Sequence, residues 1–475
     1  MSSVEWKSIG EHVSKEWDTT IVPMLCEYIK VPNQSPHYDP DWATNGLMMK
    51  AMNILVDWLK AQPVKGLKYD LFEEPGRTPF LFVEVDGTQP TSKTLFMYGH
   101  MDKQPPLLPW SEGLHPYVPV IRDGKLYGRA GADDGYAICS AITAIAALQQ
   151  HQIPHGRIVI TIEACEESGS FDLPHYVNKL KSRIGDVDLV ICLDSGSLNY
   201  DQMWVTTSLR GVCGGVLTVT VAEVGVHSGI AGGVVPDSFR IMRHLLSRIE
   251  DAATGEFLIK EAFTEVPRSV QEHMKSLNDL GSKFTSMYPS LPGMSLEPGD
   301  NYELGVRNYW MPCLTITGAD MPPTMKAGNV IRASTSVKLS IRVPPGVDAK
   351  NVTSIVGAVL ERDPPYNCKV QFVPESAANG WRAPELKPWL LDSIQASSKQ
   401  YFGMPFATVG LGGSIPFMGM LGELYPEAQF VVTGVLGPQS NAHGPDEFLH
   451  IEFGKGITSC VARVTADHFA HRIVS

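Results

Sequence analysis

Five segments of the chain each set a carboxylate or a histidine just beyond a short apolar run. They are LFMYGHMD (95–102), GRAGADDG (128–135), VITIEACEES (159–168), DLVICLDSG (188–196) and, far downstream, SNAHGPDE (440–447). In an open α/β sheet the crevice beyond the carboxyl ends of the strands is where ligands bind. A fold that brings these ends together collects His100, Asp133, Glu166, Glu167, Asp194 and His443. Two imidazoles with several carboxylates are donors for divalent metal, and numerous enough for two ions.

The surrounding pattern supports such a fold. Residues 1–65 show apolar positions at three- and four-residue spacing, as helices do. FLFVEVDG and KTLFMYGHMD follow as strands, the second apolar nearly throughout like a central strand. The stretches DDGYAICSAITAIAALQQH (helix), RIVITIEACEE (strand), LPHYVNKLKSR (helix) and VDLVICLD (strand) then alternate, which predicts a three-layer α/β domain with a mostly parallel sheet. Near 210 the texture changes to GVLTVTVAEV, a Gly-rich loop, a helix, and a long polar stretch read as irregular to about 305. Strands resume at WMPCLTITGAD, ASTSVKLSIRVPPG and YNCKVQFVPES. With 475 residues the chain is too long for one core. We therefore read 1–210 with 386–475 as one catalytic domain, and 211–385 as an inserted α+β two-layer sandwich that acts as lid and dimerisation domain, hinged near 210 and 385.

A net charge of −12 argues against nucleic acid or an anionic membrane as partner. The eight cysteines form no CxxC pair and lie mostly in apolar runs, which fits a reducing cytoplasm. The N-terminus has no basic-plus-apolar signal pattern. No G-x-G-x-x-G follows the early strands, which leaves little for a dinucleotide-binding oxidoreductase.

Taken singly, each motif has a bland reading: a capped strand end at His100, a helix-capping aspartate at 133, a solvated pair at 166–167, a turn aspartate at 194, an exposed loop histidine at 443. Their combination is what carries chemistry. His100 and Asp102 share a face by the period of two, so Asp102 can orient the imidazole. Asp133 and Asp134 cannot both face one ion on ordinary backbone, which predicts a strained or cis peptide between them. Of Glu166 and Glu167, one can ligate while the other takes a proton from a metal-bound water.

These segments resemble the co-catalytic zinc metallopeptidases of the carnosinase, glutamate carboxypeptidase and succinyl-diaminopimelate desuccinylase family. The matching stretches are GHMD, GRAGADDG, EACEESGS, LDSG, VHSGIAGG, NVIRA, SIRVPPG and NAHGPDE, with the long insert most similar to the carnosinase-type dipeptidases. The resemblance implies that His100 and Asp194 bind one metal, Glu167 and His443 the other, and that Asp133 bridges them. Glu166 is then the general base, Asp102 the residue that orients His100, and His227 a group reaching the partner subunit's active site in a homodimer. Asn329 and Arg342 resemble substrate-carboxylate binders, and the Gly412, Gly413, Ser414 loop one that donates backbone hydrogen bonds. The implied activity is hydrolysis of a dipeptide or short peptide amide by a hydroxide held on two divalent ions per subunit, zinc first, manganese or cobalt otherwise. The alternatives are an N-acyl-amino-acid deacylase or desuccinylase on the same core, and a non-catalytic scaffold, against which all the ligand types are retained. Two departures stand out: Gly135 where the family often has Lys, and Arg332 where it often has Pro.

Overall fold

The central sheet draws five strands from the first 200 residues: β1 (Leu67–Phe72), β2 (Phe80–Val85), β3 (Thr94–His100), β4 (Arg157–Glu163) and β5 (Val187–Cys192). A second sheet is built from β6 (Gly211–Thr220), β7 (Cys313–Ala319), β8 (Ser334–Val343) and β9 (Lys369–Pro374), and β10 (Gln429–Val432) returns to the first. The protein is seen here in a computed structural model that describes residues 3–474 apart from 91, 279–286, 289 and 376.

The central order is β1-β2-β4-β3-β5-β10. Strand β3 is buried at every position and pairs in parallel with both β4 and β5, and β5 pairs in parallel with β10. Three strands running the same way therefore end together, at His100, Glu163 and Cys192. Side chains alternate between faces as strand geometry requires. Leu95 and Met97 join one apolar cluster, formed with the N-terminal helices, the helix Ala137–Gln150 and the helix Ile451–Val474, while Phe96 and Tyr98 join another with the helix Leu173–Ile184. That is the three-layer arrangement expected. The difference lies at one edge, where β1 pairs antiparallel with β2, and β2 with β4. The alternating, half-exposed pattern of β1 suits an edge strand.

The second sheet runs β7-β8-β6-β9, antiparallel throughout. Strand β8 alternates strictly between half-buried and buried. Its buried face, with Leu339 and Ile341, packs on the helices Ser238–Leu246 and Ala349–Glu361 through Ile241, Met242, Val352 and Val356. The other face carries Lys338, Ser340 and Arg342. The polar stretch read as irregular is only partly so: it holds the helices Arg268–Ser276 and Asn301–Trp310, and its part at 279–286 and 289 lies outside the described residues. Asp300 and Glu303 close a reciprocal capping box at the start of the second of these helices, satisfying amides that would otherwise be left without partners.

The departure at Gly135 has a packing reason. A Cβ there would lie 2.4 Å from Tyr28 Cε1 and 2.8 Å from the Ala130 carbonyl oxygen, which itself accepts the Gly135 N–H. Tyr28 is held in turn by the buried Lys103, whose ammonium donates to the carbonyls of Tyr28 (2.8 Å) and Val31 (2.7 Å) and lies 4.0 Å from the Tyr28 ring centre. Replacing Gly135 with Ala overpacks a closed site, and we expect it to lower the unfolding free energy by about 1–3 kcal/mol. Denaturant unfolding measures this, and an unchanged midpoint and slope would contradict the packing account.

Candidate metal centre

Adjacent parallel strands deliver two of the side chains. His100 closes β3, and Asp194 follows β5 by two residues. The imidazole Nε2 of His100 lies 3.2 Å from Asp133 Oδ1 and 3.9 Å from Asp194 Oδ2. The other oxygen of Asp133, Oδ2, lies 3.1 Å from His443 Nε2, which is also 3.3 Å from Glu167 Oε2. Two groups result, His100–Asp133–Asp194 and Asp133–Glu167–His443, each with its ligand atoms within 4.8 Å of one another and with Asp133 in both. The five residues expected as ligands are thus brought together. Glu166, the expected base, adjoins Glu167 and belongs to neither group.

The local backbone explains how neighbours take different jobs. The Asp133–Asp134 peptide is cis, as the paired aspartates predicted. Asp133 turns toward the imidazoles, while Asp134 Oδ2 turns back and accepts the backbone N–H of His100 at 3.2 Å. Asp102 lies 3.4 Å from His100 Nδ1, on the far side of the ring from Asp133. Its two oxygens also accept the backbone N–H groups of Glu166 and Glu167, each at 3.0 Å. One fully buried carboxylate therefore lies beside the imidazole and pins the loop that presents both glutamates.

Sequence reasoning missed three contributors. Besides the second task of Asp102, Gln104 donates to Glu167 Oε2 at 2.6 Å, and the buried pair Arg129–Glu447 ties the loop carrying His443 to the turn carrying Asp133. The last two were detectable, because Arg129 and Glu447 are conspicuous charges inside the quoted turn motifs GRAGADDG and NAHGPDE.

Electrostatics test whether metal fits. Burial, with Asp133 close by, pushes the Glu167 carboxyl up to about 8, and burial with Asp133 raises Asp194 to about 6. Burial, with Asp194 next in weight, raises Glu166 well above the usual carboxylate range. In these three carboxyls burial and mutual repulsion disfavour the ionised form, while the neighbouring Glu167 and Asp133 raise the His443 imidazole to about 10 against the effect of its burial. The donor set of two imidazoles and clustered carboxylates suits divalent cations, which would remove both the desolvation and the repulsion.

The remaining expected residues divide into two places. A cleft of about 550 Å³ lies between the metal centre and the open face of the second sheet, lined among others by Tyr38, Glu166, Lys338, Arg342 and Ser414. Arg342 donates to Ser414 Oγ at 3.2 Å. Burial and the nearby Arg210 cation lower its proton affinity, and among the described residues no carboxylate pairs with it. Gly412 accepts from Arg210 through its carbonyl, and Gly413 stands next to Ser414, where a Cβ would meet only Leu411 Cδ2 at 4.0 Å. His227 and Asn329 are elsewhere: both are exposed, and neither lines the cleft. They neighbour each other on a protruding two-stranded ribbon, where His227 pairs with Val330 and Ser228 donates to the Asn329 carbonyl. Arg332 donates to the Ser334 carbonyl at 3.2 Å and to that of Asp320, bracing the base of this ribbon.

Comparisons with known proteins give the family and the fold. The family described as peptidase family M20/M25/M40 matches residues 96–466. A cysteinylglycine-S-conjugate dipeptidase of Corynebacterium striatum is 25% identical over 74% of this chain and 76% of its own length. A Beta-Ala-His dipeptidase of Homo sapiens is 28% identical over 60% of this chain and 56% of its own length. Among solved structures, the di-peptidase Dug1p of Saccharomyces cerevisiae superposes with a TM-score of 0.81 at 21% identity, covering 98% of this chain and 99% of that one.

Because Asp102 acts on both His100 and the glutamate loop, Asp102→Asn should weaken divalent-ion binding by about 10–100-fold, the usual cost of losing a carboxylate behind a metal-binding histidine. Equilibrium titration of the metal-free chain with zinc measures this, and affinities equal to wild type would contradict it.

Proposed function

This chain belongs to the peptidase family M20/M25/M40, and we propose that it hydrolyses dipeptides at a centre of two divalent ions, with zinc the leading candidate. The observation that carries the reading is the division of Asp133, one oxygen toward His100 and the other toward His443. In this reading His100 and Asp194 hold one ion, Glu167 and His443 the other, and Asp133 both. The dipeptidase activities of the similar proteins support the substrate class.

Divalent ions bound by these residues would supply Lewis acidity to the site. Glu166, free of both ligand groups, takes the proton of the attacking water and returns it to the leaving amine. Arg342, lacking a carboxylate partner among the described residues, receives the substrate's terminal carboxylate together with Ser414 and the Gly412–Gly413 backbone. Residues 211–385 form the lid over the cleft.

His227 completes the site from a second copy of the chain and donates to the oxyanion. Support comes from its exposure and from the apolar side chains around it. Val224, Ile230, Val234 and Met325 are 69%, 81%, 82% and 94% exposed, an unusual density of bare hydrophobics for one ribbon and its flank. A reducing compartment fits the eight free cysteines, and among the described residues no helix is long and apolar enough to cross a membrane.

Glu166→Gln should lower turnover by about 10²–10⁴-fold while leaving metal content unchanged. Near-normal turnover of a dipeptide panel would remove Glu166 as base, and loss of metal would make it a ligand. His227→Ala should also be nearly inactive, yet mixing it with Glu166→Gln should restore about a quarter of wild-type activity. Random pairing gives half mixed dimers, each with one complete site of two. No recovery after subunit exchange would rule out the shared site.

A further inference from the structure

The two ligand groups are built on unequal foundations. His100 and Asp194 stand at the ends of neighbouring central strands and are buried. Glu167 and His443 come from loops, and the His443 side chain is 55% exposed. The backbone of the His443 loop is also unfavourable by itself. Gln439, Asn441, His443 and Asp446 all have φ between 53° and 66°, the left-handed region that L-residues with side chains seldom occupy. Four such residues within eight positions persist only if their surroundings over-determine them.

Two residues from outside support the His443 loop: Ser111, whose N–H (2.9 Å) and hydroxyl both donate to the Asp446 carboxylate, and the buried Arg129. The Arg129 side chain is 1% exposed, and its Nη2 donates to the carbonyls of His443 (3.0 Å) and Gly444 (2.9 Å). Its Nη1 pairs with Glu447, equally buried. The other Glu447 oxygen accepts the N–H of Ala130 at 2.7 Å, and the Glu447 carbonyl accepts that of Gly128 at 3.0 Å. Ala130 is itself left-handed, at φ 66°, three residues before Asp133. Two otherwise unfavourable loops, one carrying the shared ligand and the other His443, are therefore clasped through one buried ion pair. Neither Arg129 nor Glu447 belongs to a ligand group or lines the cleft.

We infer that Arg129 and Glu447 are a positioning pair that couples the Asp133 turn to the His443 loop, and so sets the affinity of the ion held by His443 without touching it. The inference rests on the two-ion reading of the centre. Its consequence is an asymmetric centre: the ion on the strand ends is held tightly, and the ion on the clasped loops is the one that exchanges.

The test is a cobalt(II) titration of the metal-free full-length chain, followed by absorbance and calorimetry. Wild type should take up two ions in two resolved steps, and His443→Ala identifies which step belongs to the loop site by abolishing it. Glu447→Gln keeps the shape of the side chain but breaks the ion pair. It should weaken that step by about tenfold or more and leave the other within about threefold. If Glu447→Gln does not fold, Arg129→Lys, which keeps the charge but cannot reach both carbonyls and Glu447, is read by the same criterion. Two steps unchanged, or both weakened alike as a general structural defect would produce, overturns the coupling. A wild-type chain that binds fewer than two ions overturns the two-ion reading itself, which separates the two failures.

Discussion

Asp133 offers its two oxygens to two imidazoles on opposite sides, 3.2 Å from His100 and 3.1 Å from His443. A carboxylate so placed has to be buried, shared and turned away from its neighbour Asp134, and much of the surrounding structure serves those three demands. The absence of a side chain at Gly135 admits Tyr28 beneath the turn, and the Tyr28 hydroxyl donates to the carbonyl of Met101 next to His100. Asp134 accepts the His100 amide. Asp102 supports His100 from behind and holds the glutamate loop. Several buried carboxylates facing one another repel, and the cluster is stable in its ionised form only with cations among them.

The division of labour between the two sheets follows from their burial patterns. The central strands β3 and β5 are buried along their whole length and can offer chemistry only at their ends. The second sheet has one free face, and on β8 that face carries Lys338, Ser340 and Arg342 opposite the carboxylates of the metal centre. Lys338 is paired at 3.0 Å with Glu375, which lines the same cleft, so Arg342 is the cation on that wall that has no carboxylate partner among the described residues.

The clustering of His100, Asp133, Glu167, Asp194 and His443 was legible in the sequence because strand ends leave a strong local signal: an apolar run stopping at His, Asp or a Glu pair. The three layers followed from strands alternating with helices. Other features were less legible for physical reasons. The antiparallel edge at β1 and β2 is set by which strand the chain returns beside, and strand composition does not report that. The helix Asn301–Trp310 begins at an Asp-x-x-Glu capping box within a polar stretch, so its signal lies in two residues and not in periodicity. Asp102 reads as a partner of His100 from spacing, but its grip on residues 64 and 65 positions away depends on the parallel pairing of β3 with β4. His227 and Asn329 resemble site residues by motif alone, since one chain places them away from the cleft.

The central claim is that Asp133 is shared between two ions. Reconstituting the metal-free chain with manganese(II), then locating the ions by anomalous diffraction with spin coupling read in parallel by EPR, tests it most directly. The account expects two coupled ions about 3.5–4 Å apart, each bound by one oxygen of Asp133. A single ion, or two ions with Asp133 bound to only one of them, would contradict it.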